Sequence, residues 1–285
     1  MRAIQIVELN GPDSLRLADI DEPSGEGVVV DVRAAGVSFP EVLQSRGLYQ
    51  VKPDLPFVPG SEVGGVVRSA PAGSGLAPGD RVAAFPMLGG FAEVAVAPAH
   101  FTFKLADELD FAQGAALILN YHTAHFSLVR RGRLRAGETV LVHGAAGGVG
   151  TASIQVAKGL GARVLAVVSS DEKAHVAWEA GADEVLRSDG DWKDAAKQLG
   201  GADLVLDPVG GDRFTDSLRS LNPDGRLLVV GFTAGSIPEV KVNRLLLNNI
   251  SVVGERFPLE RASDALALLD GRGAVGKLVL EIGAR

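Results

Sequence analysis

The sequence predicts an α/β protein in two parts, a β-rich first part and a doubly wound six-stranded parallel sheet. Two observations carry the division. Up to residue 118 short β runs are punctuated by glycine and proline. From 119 to 254 apolar strands without clean alternation are separated by helical patterns, as a parallel sheet covered on both faces requires. A third observation is more specific. A glycine-rich turn, Gly144-Ala145-Ala146-Gly147-Gly148-Val149-Gly150, joins an apolar strand to a helix.

In chain order, Met1 to Glu8 alternates and reads as a strand rather than a leader. Val28 to Val32, Gly64 to Arg68, Arg81 to Ala84 and Phe91 to Val96 read as further strands of a compact, barrel-like β domain with few helices. Gly11-Pro12, Pro59-Gly60 and Pro78-Gly79-Asp80 are turns. The parallel strands are Thr139 to His143, Arg163 to Val168, Glu184 to Leu186, Leu204 to Asp207, Arg226 to Val230 and Ile250 to Val253. Helical patterns include Gly148 to Leu160, Glu172 to Ala180 and Phe214 to Leu221. Residues 255–285 add a helix over Leu259 to Leu269 and a strand over Lys277 to Ile282.

Composition narrows the function classes. At 285 residues the chain fits two domains. With 46% hydrophobic and 22% charged residues it can bury sizeable cores. A net charge of −7 without blocks of like charge argues against nucleic acid or an anionic membrane as partner. There is no cysteine, so disulfides, thiolate nucleophiles and Cys-based zinc sites are excluded together. No apolar run approaches the length of a membrane span, and a cytoplasmic location is expected.

The glycine turn opens a helix whose first N–H groups and partial positive charge face whatever lies above the strand. A pyrophosphate suits that position. Gly147 lets the backbone approach the phosphates, Gly150 lets helix and strand pack closely, and Ala145 takes the place of the usual first glycine. Six strands complete a dinucleotide-binding fold. About 20 residues past the turn, where NAD-preferring folds place an acid, stand Ser169 and Ser170. These hydroxyls leave room for a 2′-phosphate, and Lys173 can pair with it, which favours NADPH; Ser170 can equally cap the next helix.

The segment 137–158, including Gln155 and Lys158, resembles the zinc-independent quinone oxidoreductase (zeta-crystallin-like) branch of the medium-chain dehydrogenase/reductase superfamily. So do Gly36-Val37-Ser38-Phe39-Pro40, Gly47-Leu48-Tyr49, Leu55 to Glu62, Asn120 to Ala124, Asp207-Pro208-Val209-Gly210-Gly211 and Phe257-Pro258-Leu259-Glu260. The resemblance implies a GroES-like catalytic domain (1–118), a Rossmann domain (119–254) and a shortened C-terminal return to the catalytic domain (255–285). It also implies hydride transfer from NADPH to a quinone or an α,β-unsaturated carbonyl. The same scaffold serves enoyl- or acryloyl-CoA reductases, and a non-catalytic NADPH-binding protein of crystallin type is the alternative from another class.

By the same resemblance, Ala146, Gly147, Gly148 and Val149 take the pyrophosphate, and Ser169, Ser170 and Lys173 lie at the adenosine end. Thr123, Gly210, Gly211, Gly231 and Phe232 lie along the nicotinamide. Tyr49 orients or protonates the substrate, and Ser38 stands where the branch more often has Asn. Zinc-dependent cousins place a ligating Cys at the position of Ser38 and a ligating His at that of Ser61. With serine at both and five scattered histidines, no metal is expected. Relatives pair through the sixth strand, an exposed sheet edge, so a homodimer is expected. The branch places a loop, a helix and a return strand between the sixth strand and Phe257. Here Val253 and Gly254 run almost directly into it, which implies a more open cleft if that segment is lost.

Overall fold

The structure, a computed structural model, describes residues 1–253, 257–258 and 280–281. The chain forms two compact units, Met1–Asn120 and Tyr121–Arg285.

The first unit contains β1 (Arg2–Ile6), β2 (Leu15–Asp19), β3 (Val28–Ala35), α1 (Phe39–Ser45), β4 (Val63–Ser69), β5 (Arg81–Ala84), β6 (Val94–Ala97) and β7 (Thr102–Lys104). The first residues of α2 (Phe111–His125) also belong to it. An antiparallel sheet runs in the order β6-β3-β4-β5-β7, with β1 and β2 as a separate hairpin. Alternation sets the faces. Val28 and Val30 point into a core with Val63, Val67, Val82, Ala84 and Ala97, while Asp31 lies on the other face and pairs with Arg68 at 2.6 Å.

Helix α1 and the start of α2 are additions to the β-rich expectation for this part. The seven residues of α1 are too few for a hydrophobic period, and three of them, Glu41, Gln44 and Ser45, are buried polar groups. Its start is nevertheless written in the chain. Ser38 is the N-cap, Pro40 lies in the first turn, and the Ser38 N–H donates to Glu41 Oε2 at 2.8 Å.

In the second unit α2 ends in a π-helical turn, Phe126–Arg131. Then come β8 (Thr139–His143), α3 (Gly148–Gly159), β9 (Arg163–Val168), α4 (Asp171–Glu179), β10 (Glu184–Arg187) and α5 (Trp192–Gln198). They are followed by β11 (Ala202–Asp207), α6 (Phe214–Ser220), β12 (Leu221–Val229), α7 (Asn243–Asn248) and β13 (Ser251–Val253). The strands are all parallel, in the order β10-β9-β8-β11-β12-β13, which is the doubly wound order that reverses beside the first strand.

Both faces are buried, which is why the strands read as continuous apolar runs. Val140, Val142, Val164, Ala166, Leu204 and Leu206 pack on one side with Ile154 and Ala157 of α3 and Ala177 of α4. Leu141, Leu165, Val167, Val205 and Leu227 pack on the other with Trp192 and Ala196 of α5 and Phe214 and Leu218 of α6. Each fully buried aliphatic side chain contributes roughly 1.5–3 kcal/mol.

Beyond Val253 two short strands are described, β14 (Phe257–Pro258) and β15 (Leu280–Glu281), and they pair in parallel. The expected helix over Leu259 to Leu269, most of the strand over Lys277 to Ile282, and the junction at Gly254 lie outside the described residues.

Candidate functional site

Four turns crowd the C-terminal edge of the parallel sheet, where open α/β sheets bind their ligands. The first is the glycine turn after β8. Gly144 has φ of +58° and makes the tight turn. Ala145, which stands in the place of the usual first glycine, is fully buried in the core, and the left-handed residue is the one before it. Gly147 caps α3, its N–H donating to Gly144 O at 2.9 Å. The N–H groups of Gly148, Val149 and Gly150 in the first turn have no intrahelical acceptor.

The two later glycines differ in what they permit. A Cβ on Gly150 would lie 2.2 Å from Gly144 O, so close packing of helix on turn demands glycine there. A Cβ on Gly147 would meet only Gly144 O, at 3.3 Å. A side chain at 147 would need Gly144 O to give by only a few tenths of an ångström, and its lack leaves the backbone open above the helix mouth.

The second turn follows β9. Ser170 caps α4, its Oγ accepting the Lys173 N–H at 3.3 Å, and Lys173 Nζ donates to Ser169 Oγ at 3.0 Å. Arg187, at the end of β10, joins them. It donates to Ser169 O at 3.2 Å, pairs with Asp171 and with Asp189 at 3.0 Å, and keeps a buried Nε without a partner. In sequence Arg187 is, with Arg244, no more than a possible phosphate or substrate contact. Only the register that sets it beside Val168 brings its side chain to Ser169.

The third and fourth turns follow β11 and β12 and are bonded to each other. Thr233 N–H donates to Pro208 O at 3.2 Å and Ala234 N–H to Val209 O at 3.0 Å. They bring together Gly210, Gly211, Gly231 and Phe232. Asp207, fully buried, shapes the third turn by accepting the N–H groups of Val209 and Gly210, both at 2.9 Å. The Asp207-Pro208-Val209-Gly210-Gly211 motif marked this turn in sequence, but the part Asp207 plays emerges only from its burial. His143 is packed, with its ring edge-on to Trp192 at 4.8 Å and Nε2 2.8 Å from Ser217 Oγ. Burial pushes the imidazole down to about 4, so it stays neutral. Thr123 lies half-buried on α2.

The first unit holds a separate polar cluster around Ser38. Glu41 Oε1 accepts Ser61 N–H at 3.1 Å and Ser61 Oγ–H at 2.7 Å, while its Oε2 takes the Ser38 N–H. Glu62 Oε2 accepts the Leu119 N–H at 2.9 Å, and Oε1 lies 3.3 Å from Ser38 Oγ. Glu62 is 1% exposed. Burial, opposed by the Leu119 and Ser38 hydrogen bonds and aided by the charge of Glu41, pushes its carboxyl up to about 7. Tyr49 is half-buried beyond α1. Burial first, then the charge of Glu41, raises its phenol above the usual range, so it keeps its proton. Sequence reasoning passed over Glu41 and Glu62, whose only signals were the capping-box spacing and the Ser61-Glu62 pair. Among the described residues no group of three or more His, Cys, Asp or Glu side chains could hold a metal ion.

A glycine turn on a doubly wound sheet, preceded by an antiparallel β unit, is the arrangement of a two-unit dinucleotide-binding fold. The alcohol dehydrogenase GroES-like domain family matches residues 24–107, and the zinc-binding dehydrogenase family matches residues 148–271. Quinone oxidoreductase of Rattus norvegicus is 37% identical over 322 aligned positions, covering 98% of this chain and 97% of the rat protein. A probable oxidoreductase from Mycobacterium abscessus is 42% identical with a TM-score of 0.80, covering 99% of both chains. A quinone oxidoreductase from Thermus thermophilus, also solved with NADPH, is 33% identical with a TM-score of 0.77, covering 99% of this chain and 100% of its own. The chain therefore belongs to the zinc-independent quinone oxidoreductase family of medium-chain dehydrogenases/reductases. An alignment of 322 positions against 285 residues carries at least 37 gap positions in this chain, so it is shorter than the rat protein.

Proposed function

We propose that this protein is an NADPH-dependent oxidoreductase that transfers hydride to a quinone or an α,β-unsaturated carbonyl. One observation carries the choice of coenzyme: Ser169, Lys173 and Arg187 converge at the end of β9, one strand from the open amides of α3. The pyrophosphate would rest on Ala146, Gly147, Gly148 and Val149, with Ser169, Ser170, Lys173 and Arg187 around the 2′-phosphate. Thr123, Gly210, Gly211, Gly231 and Phe232 would flank the nicotinamide. NADPH bound in a Thermus thermophilus relative supports the same reading. The bound nicotinamide supplies the hydride. The chain's own residues bind and orient, and Tyr49 and Ser38 present hydroxyls to the oxygen that gains charge.

Loss of absorbance of the reduced nicotinamide with phenanthrenequinone, benzoquinone and crotonyl-CoA as acceptors tests the activity. Coenzyme binding with no turnover on any of them would instead favour the non-catalytic reading. Lys173→Glu tests the coenzyme choice. Replacing a charge-assisted bond worth roughly 1.5–3 kcal/mol by a repulsion should weaken NADPH about tenfold to a hundredfold while sparing NADH. Equal loss of both would contradict the placement of the 2′-phosphate.

We also infer a homodimer through β13. This strand is the sheet edge, and Ile237, Val242, Leu246 and Leu247, in or near α7, are 70–83% exposed. Leu246→Glu combined with Leu247→Glu should shift the species seen by light scattering from dimer to monomer. A parent protein that is already monomeric removes the inference.

A further inference from the structure

We infer that Glu62 is the proton store for the reduced substrate and that Ser38 Oγ is its outlet. This rests on the proposed hydride transfer to a quinone or enone, a reaction in which the substrate gains one hydride and one proton. The geometry gives Glu62 and Glu41 different work, although they stand close enough for their charges to interact.

Three donors converge on Glu41, the Ser61 N–H, the Ser61 hydroxyl and the Ser38 N–H. Glu62 receives one backbone donor, on Oε2. Its other oxygen takes the Ser38 hydroxyl, 3.3 Å away. Protonation of Glu62 would reverse the second bond: Oε2 as carbonyl keeps the Leu119 N–H, and Oε1–H donates to Ser38 Oγ, since a hydroxyl can both donate and accept. The Ser38 hydroxyl proton is then released from Glu62, on a residue that is only half-buried. Glu62, with fewer donors than Glu41 and 1% exposure, is the proton carrier of the pair.

The step balances. Hydride adds to the acceptor and leaves an enolate or hydroquinone anion. That oxygen takes the Ser38 Oγ proton as Oγ takes the proton of Glu62 Oε1, and water later reprotonates the Glu62 carboxylate. Glu62 reaches the substrate only through Ser38 and is a positioning and relay residue. The groups that face it are Glu41 and Ser38 from the α1 side and the Leu119 N–H from α2.

The decisive measurement needs no coenzyme. Difference infrared spectra of the parent protein and Glu62→Gln should show one protonated carboxyl band at about pH 6 that fades through neutrality and is missing from the variant. No such band would overturn the inference and leave the NADPH reading untouched. The functional arm compares acceptors. A quinone requires hydride and proton, whereas an N-methylphenazinium cation requires hydride alone. Glu62→Gln and Ser38→Ala should each lower the ratio of quinone to phenazinium rates about tenfold. Glu62→Gln should also flatten the fall of the quinone rate above neutral pH. An unchanged ratio would overturn the relay, since a purely structural defect slows both acceptors alike. Failure to oxidise NADPH with either acceptor in the parent protein would count against the proposed activity instead.

Discussion

Gly150→Ala is expected to destabilise the second unit by about 1–3 kcal/mol and to abolish saturable binding of NADPH. The added methyl would lie 2.2 Å from Gly144 O and 2.7 Å from Ala145 Cα, both backbone atoms that cannot rotate away. Relief requires lifting α3 off the turn, which misdirects the first-turn amides of Gly148 and Val149. Gly147→Ala is the informative partner. Its methyl meets a single atom at 3.3 Å, so the melting temperature should fall little, yet NADPH affinity should drop because the methyl stands where the diphosphate approaches. Thermal denaturation and a fluorescence titration of both variants check the pair. Wild-type affinity in Gly147→Ala would place the diphosphate elsewhere, and an undiminished melting temperature in Gly150→Ala would contradict the packing.

Glu62→Gln is expected to make the protein more stable than its parent at high pH and not at low pH. The folded carboxyl titrates at about 7 against an ordinary value of 4.5. Below the ordinary value both folded and unfolded chains hold the proton, and the group contributes nothing to pH dependence. Between the two values the unfolded chain has released its proton and the folded chain has not, so stability falls as pH rises. Above the folded value both are ionised and the whole cost is present. One pKa unit corresponds to about 1.4 kcal/mol, so the parent should lose about 3 kcal/mol across this window. Glutamine has no such titration. Urea denaturation of both proteins at about pH 5 and about pH 8 measures the difference between them. A gap that stays constant would mean that Glu62 is already ionised in the folded protein.

Much of the second unit was legible because its signals are local or periodic. The strand bounds at 139–143 and 163–168 agree with the sequence expectation, since apolar runs bounded by glycine leave little freedom. Ser170 stands immediately before a helical pattern, and it caps α4. The first unit was less legible. In its α1 the polar Glu41 is buried where the residues leading into β4 bring Ser61 against it. Arg187 was equally opaque, because its neighbours at 168–171 come from another strand.

By itself the sequence determined the class of sheet, the glycine turn that opens α3 and the want of cysteine for a zinc site. These depend on residue type and spacing along one stretch of chain. Tertiary structure alone decided which glycine makes the turn, which arginine reaches the β9 terminus and which glutamate has its carboxyl pushed up by burial. Each of those outcomes depends on what distant segments bring within a few ångströms, where steric exclusion and loss of solvent act and sequence order does not.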